Sequence, residues 1–196
     1  MLIKIVIFAT ITKTNIMMKR ILLLLFAIFI TSTCFSRSNM FLDIPYSVDT
    51  ETFIDRLLEK GYTIYPEYCI ENDTYVFKGR YLSEDVWVTI NCDPNNDIVY
   101  TVIVDFYTYA VPANGSSLAL EKLYSKYNYL KNWLSSQSSG LTSVEESSGE
   151  GVEKVYNMVH LVEQWSKNVW IKINDEGKRA LVLSFHDDRA IDNMLW

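Results

Sequence analysis

Histidine is almost missing from this chain, at two residues in 196, His160 and His186. An imidazole metal site, or a nucleophile paired with a histidine base, has only those two to draw on. No G-x-S-x-G elbow occurs, so that serine-hydrolase signature is absent as well. Basic residues never cluster beyond the first 36 positions, which argues against nucleic acid and anionic membrane surfaces as partners. Acidic residues are missing before Asp43, and tyrosine and tryptophan before residue 37. These gaps leave no catalytic residue, no metal ligand set and no cofactor pattern to assign.

The acid-free segment has its own pattern. Lys19 and Arg20 precede the apolar run Ile21–Ile30, and Thr31, Ser32 and Thr33 follow it. A positive start, a short apolar core and a small-residue exit make a secretory signal peptide over residues 1–36. The run has about half of the roughly 20 residues that a bilayer-spanning helix needs. Met17 or Met18 gives a more ordinary start than Met1, so residues 1–16 read as an over-extended frame. Cys34 and Ser36 fit the −3 and −1 positions for cleavage after Ser36. The competing route makes Cys34 the lipidated cysteine of a lipoprotein. Ser32 and Thr33 suit that route poorly, and a soluble product is the reading preferred. The expectation is an exported protein, periplasmic or extracellular, with no transmembrane segment in the mature chain.

The remaining body, residues 37–196, has the size of one domain with room for a core. Removing Lys4, Lys13, Lys19 and Arg20 but none of the 24 acidic residues takes the formal net charge from −6 to −10. Cys69 and Cys92 remain where disulfides form. The expected hairpins place a strand between them, so a bond requires the first strand to bend away.

Ser47 or Asp49 can cap a helix whose stripe is Phe53, Ile54, Leu57 and Leu58, and Gly61 ends it. Strand-like segments follow at 62–70, 74–82, 86–92 and 98–108, as an antiparallel meander. A second helix carries Leu120, Leu123, Tyr124, Tyr127, Leu130 and Leu134 and runs to about Ser135. Ser135–Gly151 reads as an acidic surface loop or linker, and Val152–Met158 as helix or strand. Strands at 159–166, 169–174 and 179–186 close the chain. Ser83–Asn91 lines up with Ser166–Asn174, with Val86-Trp87 over Val169-Trp170 and Ile90 over Ile173. The predicted fold is α+β: an antiparallel sheet of about seven strands with two main helices on one face. Two similar helix–meander halves, 41–110 and 111–196, are the expected arrangement.

Phe-x-x-Ile-Pro at Phe41–Pro45, then Phe53, Leu57-Leu58, Gly61-Tyr62, Tyr75 and Phe77-x-Gly79, resemble a family of small uncharacterised exported proteins of gut Bacteroidetes. The family commonly ends its second helix with Tyr-Gly-x-Pro, whereas here Tyr127 is followed by Asn128. The layout is also similar to the tandem fold of the β-lactamase-inhibitor proteins and small outer-membrane assembly lipoproteins. The family resemblance implies an exported α+β protein and no catalytic residues.

Three short patterns invite chemistry. Asp93-Pro-Asn95-Asn-Asp97 has the first ligand spacings of a calcium loop, but Ile98 and Val104 stand where Gly and Glu are required, so a hairpin turn is expected. His186-Asp187-Asp188 alternates across a strand. His160-x-x-Glu163 is a common accident. The aromatic content is more telling: 13 tyrosines and five tryptophans, all in the body. Trp87 and Trp170 fall opposite Val86, Val88 and Ile90, and Val169, Ile171 and Ile173. If those aliphatic residues line the core, the two tryptophans mark an interaction face. The function expected is a non-enzymatic exported binding protein for a protein partner or cell-envelope component. The alternatives are a hydrolase acting on envelope or dietary polymers, and a glycan- or small-ligand-binding module.

Overall fold

The computed structural model describes residues 40–187 apart from 47, 71, 72, 138–141 and 161. The signal segment, Cys34, Ser47, Asn72 and Asp188 lie outside the described residues. A two-stranded ribbon, β1 (Met40–Phe41) and β2 (Ile44–Pro45), comes first. Leu42 and Asp43 turn it with positive φ angles of 52° and 62°, and this left-handed pair matches the twist of a tight hairpin. Phe41 and Ile44 pair across the turn and are buried, which gives the Phe-x-x-Ile-Pro pattern its physical meaning.

Helix α1 spans Thr50–Glu59, and the Asp49 carboxylate accepts from Thr52 N at 2.8 Å. That bond holds the Asp49 carboxyl below its ordinary pKa. At its far end, Tyr62 N donates to Leu57 O and Gly61 N to Leu58 O, with Gly61 at φ 85°. This is a Schellman ending, and it drops Tyr62 onto the sheet. Helix α2 spans Ser117–Ser135, with the Ser116 hydroxyl accepting from Ala119 N. It buries Leu123, Tyr127, Leu130 and Leu134.

Eight strands form one antiparallel sheet: β3 (Thr63–Ile64), β4 (Thr74–Tyr81), β5 (Glu84–Asp93), β6 (Ile98–Asp105), β7 (Thr142–Gly149), β8 (Val152–His160), β9 (Trp165–Ile173) and β10 (Arg179–Asp187). Their order is β3-β4-β5-β6-β10-β9-β8-β7. Two four-strand meanders therefore meet through their last strands, each preceded by a helix. β5 and β9, which carry the internal sequence match, are each the third strand of their meander.

The α+β class and the two helices stand as expected, and three strand assignments change. Ser135–Gly151 contains β7, making eight strands rather than about seven. β7 is an edge strand exposed over nearly its whole length, so it carries no apolar alternation to read. The segment 62–70 is a strand only at Thr63–Ile64, after which Pro66–Tyr68 forms a 3-10 turn. The hairpin between β8 and β9 turns at 162–164, not between 166 and 169. Val162, Glu163 and Gln164 include none of the usual turn formers, and Gln164 takes φ 52°.

One face of the sheet carries the core. Phe77, Val86, Val88, Ile90, Val102, Val104, Val169, Ile171, Leu181 and Leu183 are inaccessible there and pack against both helices. A Cβ at Gly79 would lie 2.3 Å from Tyr62 Cδ1, so only glycine lets that ring cover the strand. Tyr62 is fixed by donating its hydroxyl to Arg80 O at 2.7 Å. Charge pairs fasten α2 at its rims: Lys126 to Glu84 at 2.9 Å and Lys131 to Glu146 at 2.5 Å.

Candidate functional site: the helix-free face of the sheet

Strand alternation sends every second side chain to the other face, where no described helix packs. Trp87 pairs with Asp105, Asp105 with Val182, and Val182 with Trp170. The two tryptophans thus stand in one row across the sheet, three strand spacings or about 14 Å apart. Both are half-buried, opposite the inaccessible valines and isoleucines of their own strands.

The surroundings of Trp87 are aromatic. Tyr65 meets it edge-on at 4.8 Å between ring centroids, Tyr68 at 6.1 Å, and Tyr107 lies tilted at 6.3 Å. The Lys78 ammonium sits 5.7 Å from both the Trp87 and Tyr107 rings, within cation–π range. Two 3-10 turns, Pro66–Tyr68 and Tyr107–Tyr109, bring these tyrosines over the strand.

Around Trp170 the neighbours are mixed: Val182 and Val155 pair with it, the Lys172 ammonium lies 5.2 Å from its ring, and a polar network runs beside it. Its indole Nε1 donates to Ser184 Oγ at 3.0 Å, and Ser184 Oγ lies 3.1 Å from His186 Nε2. His186 Nδ1 lies 3.0 Å from Thr101 Oγ1. With neutral imidazole two tautomers satisfy the network: His186 accepts from Ser184 and donates to Thr101, or donates to Ser184 and accepts from Thr101. Burial, helped by the Lys172 charge, keeps the His186 pKa below its ordinary value. A shallow concavity of about 410 Å³ opens beside this network, over β7–β10. Asn157 and Asn168 pair across its middle, with Glu145 next along the row. Two oxygens on this face are buried without a hydrogen-bond partner, Asn157 Oδ1 and Asp105 Oδ1. Burial raises the Asp105 pKa, with the Lys178 and Lys172 charges pulling the other way.

The remaining sequence candidates are placed elsewhere. Asp93 is buried in the β5–β6 turn, where its carboxylate accepts from Asn95 N at 2.9 Å and from the Asn96 amide. That is a hairpin turn, as expected. His160 accepts from Glu163 N at 3.0 Å and stacks on Trp165, while the Glu163 carboxylate takes the Trp165 indole N–H. His160 shares the core face with Asp187, and His186 lies on the other. Among the described residues no three ligand-type side chains converge on a metal position. Cys69 and Cys92 are free thiols. Cys69 Sγ lies 3.4 Å from Val76 N, whereas Cys92 is buried and its thiol pKa is raised to about 11 by desolvation.

A larger groove of about 1030 Å³ runs beside the first half of α2. Its floor is the Glu84–Lys126 pair, with the Tyr109 hydroxyl donating to the same carboxylate at 2.9 Å. Those bonds hold the Glu84 carboxyl below its usual pKa. The charges are spent on joining helix to sheet.

Sequence reasoning found the two tryptophans but missed Thr101, Asp105, Asn157, Asn168 and Ser184. The break expected between strands 159–166 and 169–174 is instead interior to β9. The alternation in 98–108 and 179–186 carried part of the signal, since Thr101 and Asp105, like Ser184 and His186, fall on alternate positions. No family model, curated protein or solved structure matches the chain.

Proposed function

We propose that this is an exported, non-enzymatic binding protein that engages a component of the cell envelope through the helix-free face of its sheet. One observation carries the reading: Trp87 and Trp170 stand half-buried in a single row on that face. Tryptophan offers a broad rigid surface with a hydrogen-bonding edge, and half-burial holds it in place without hiding it. The signal-like segment 1–36 and the acidic body support the compartment. The closest approach to a nucleophile–base pair on this face is Ser184 with His186. Ser184 is only 4% exposed, and its oxygen already accepts the Trp170 indole proton, so the pair reads as a structural network.

The test is retention on immobilised envelope fractions of the exporting cell, comparing the native protein with Trp87→Ala and Trp170→Ala, each checked for folding by circular dichroism. The native protein is expected to be retained and at least one variant to lose about 30-fold in affinity, the scale of an aromatic hot spot. Equal retention of all three proteins sinks the reading.

A further inference from the structure

We infer that the concavity over β7–β10 is a saccharide subsite, with Trp170 as its stacking platform; this rests on the helix-free face being the recognition surface. Its volume of about 410 Å³ lies within the roughly 300–1,000 Å³ typical of small-ligand sites. The lining is what selects the ligand. No lysine or arginine lines the concavity; the Lys172 ammonium lies 5.2 Å from the Trp170 ring beside it, and Glu145 supplies its one carboxylate. One lysine and one carboxylate stand beside the concavity, so neither an anionic nor a cationic ligand is singled out by charge.

The centre is made of amides and hydroxyls, Asn157, Asn168 and Ser166, beside the Trp170 indole and the His186 ring. Amides donate and accept, and hydroxyls do both. Such a set suits a ligand that itself carries many hydroxyls and no charge. The indole supplies an apolar surface for the C–H face of a sugar ring. Asn157 Oδ1, buried without a partner, is an acceptor in want of a donor. A peptide added as an extra strand needs unpaired backbone, and β8 and β9 at the centre of the concavity are paired on both sides, the open edge being that of β7 at its rim.

The same features separate this subsite from the Trp87 end of the row. There the platform is walled by Tyr65, Tyr68 and Tyr107, whereas a lysine lies over each indole, Lys78 at 5.7 Å and Lys172 at 5.2 Å, so the aromatic wall is what differs. The saccharide contact is therefore assigned to Trp170 alone.

The experiment is calorimetric titration of the purified product of the full 196-residue chain with neutral hexasaccharides of glucose, xylose, mannose and N-acetylglucosamine. Sulfated heparin hexasaccharide and a random neutral decapeptide pool serve as the contrasting arms. Saturable binding of at least one neutral hexasaccharide is expected. Trp170→Ala should weaken it about 30-fold, Trp170→Tyr should recover most of that loss, and Trp87→Ala should stay within about twofold. Asn157→Leu, which keeps the volume and removes the amide, should weaken it about tenfold, equivalent to one hydrogen bond. Absence of binding by every neutral saccharide overturns the inference, as does binding that Trp170→Ala leaves intact or a preference for heparin or peptide. If saccharides fail while retention on envelope fractions still depends on Trp170, the ligand class is wrong and the face reading stands. If that retention is also independent of both tryptophans, both fail together.

Discussion

Trp87 and Trp170 occupy the same place in two four-strand meanders, on the third strand and in one row of the sheet, yet their neighbours have little in common. The first meander closes over its tryptophan. Its opening strand β3 lasts two residues and gives way to a 3-10 turn that carries Tyr65 and Tyr68 onto the indole. In the second meander the corresponding strand is β7, eight residues long and flat against β8. No aromatic ring of the described residues packs on Trp170, which donates to Ser184 on the same face and has the Lys172 ammonium 5.2 Å from its ring. One strand position has thus been given two environments by the length of the outermost strand. Under the proposed reading, the walled tryptophan serves packing and the open one meets the ligand.

The largest expected effect breaks the pair apart by stability. Trp87→Ala removes the centre of a four-ring cluster and is expected to cost about 3 kcal/mol, at the low end for large-to-small aromatic changes. Trp170→Ala loses one hydrogen bond and the Lys172 cation–π contact but no ring neighbour, and is expected to cost about 1–2 kcal/mol. Urea unfolding followed by circular dichroism gives both values, and equal costs would erase the distinction.

A second substitution probes how the first meander is built. Gly79→Ala puts a Cβ into the Tyr62 ring, so it should destabilise by about 1–3 kcal/mol, as overpacking does. Gly149→Ala, at the edge of the second meander with nothing within 4 Å, should change stability by less than about 0.5 kcal/mol. A Gly79→Ala cost no larger than that of Gly149→Ala would show that the Tyr62 cover is loose.

The smallest effect concerns pH and belongs to the second meander. His186 is a base whose pKa is lowered in the folded protein by burial and by Lys172. The unfolded chain then binds the proton more readily, so stability rises with pH across the window between the lowered value and the ordinary histidine value of about 6.5. The contribution is complete above that window and is lost as pH falls through it. Thermal midpoints of the native protein should drop more between pH 7 and pH 5 than those of His186→Gln. Parallel curves for the two proteins would remove His186 as a titrating part of the network.

Alternation in 74–82, 86–92 and 98–108 locates β4, β5 and β6 because each buries one face and wets the other. β7 escapes such a reading, since Thr142–Gly149 is paired along one side only and wet on both faces. The β8–β9 turn escapes because its residues are not turn formers. The orientation of Trp87 and Trp170 follows from their neighbours within one strand, which is local information. The polar carpet beside Trp170 does not, because it depends on β6 meeting β10. The Thr101–His186 pair lies 85 residues apart in the chain, a register that the composition of either strand alone leaves open.

The central claim is that the two equivalent tryptophans have divided their roles, and it is tested most directly at their indole N–H groups. In a ¹H–¹⁵N spectrum assigned by single Trp→Phe substitutions, titration with the neutral hexasaccharide that binds best should shift the Trp170 indole signal and leave that of Trp87 in place. A shift at Trp87 with Trp170 unmoved, or no shift at either under saturating ligand, would contradict it.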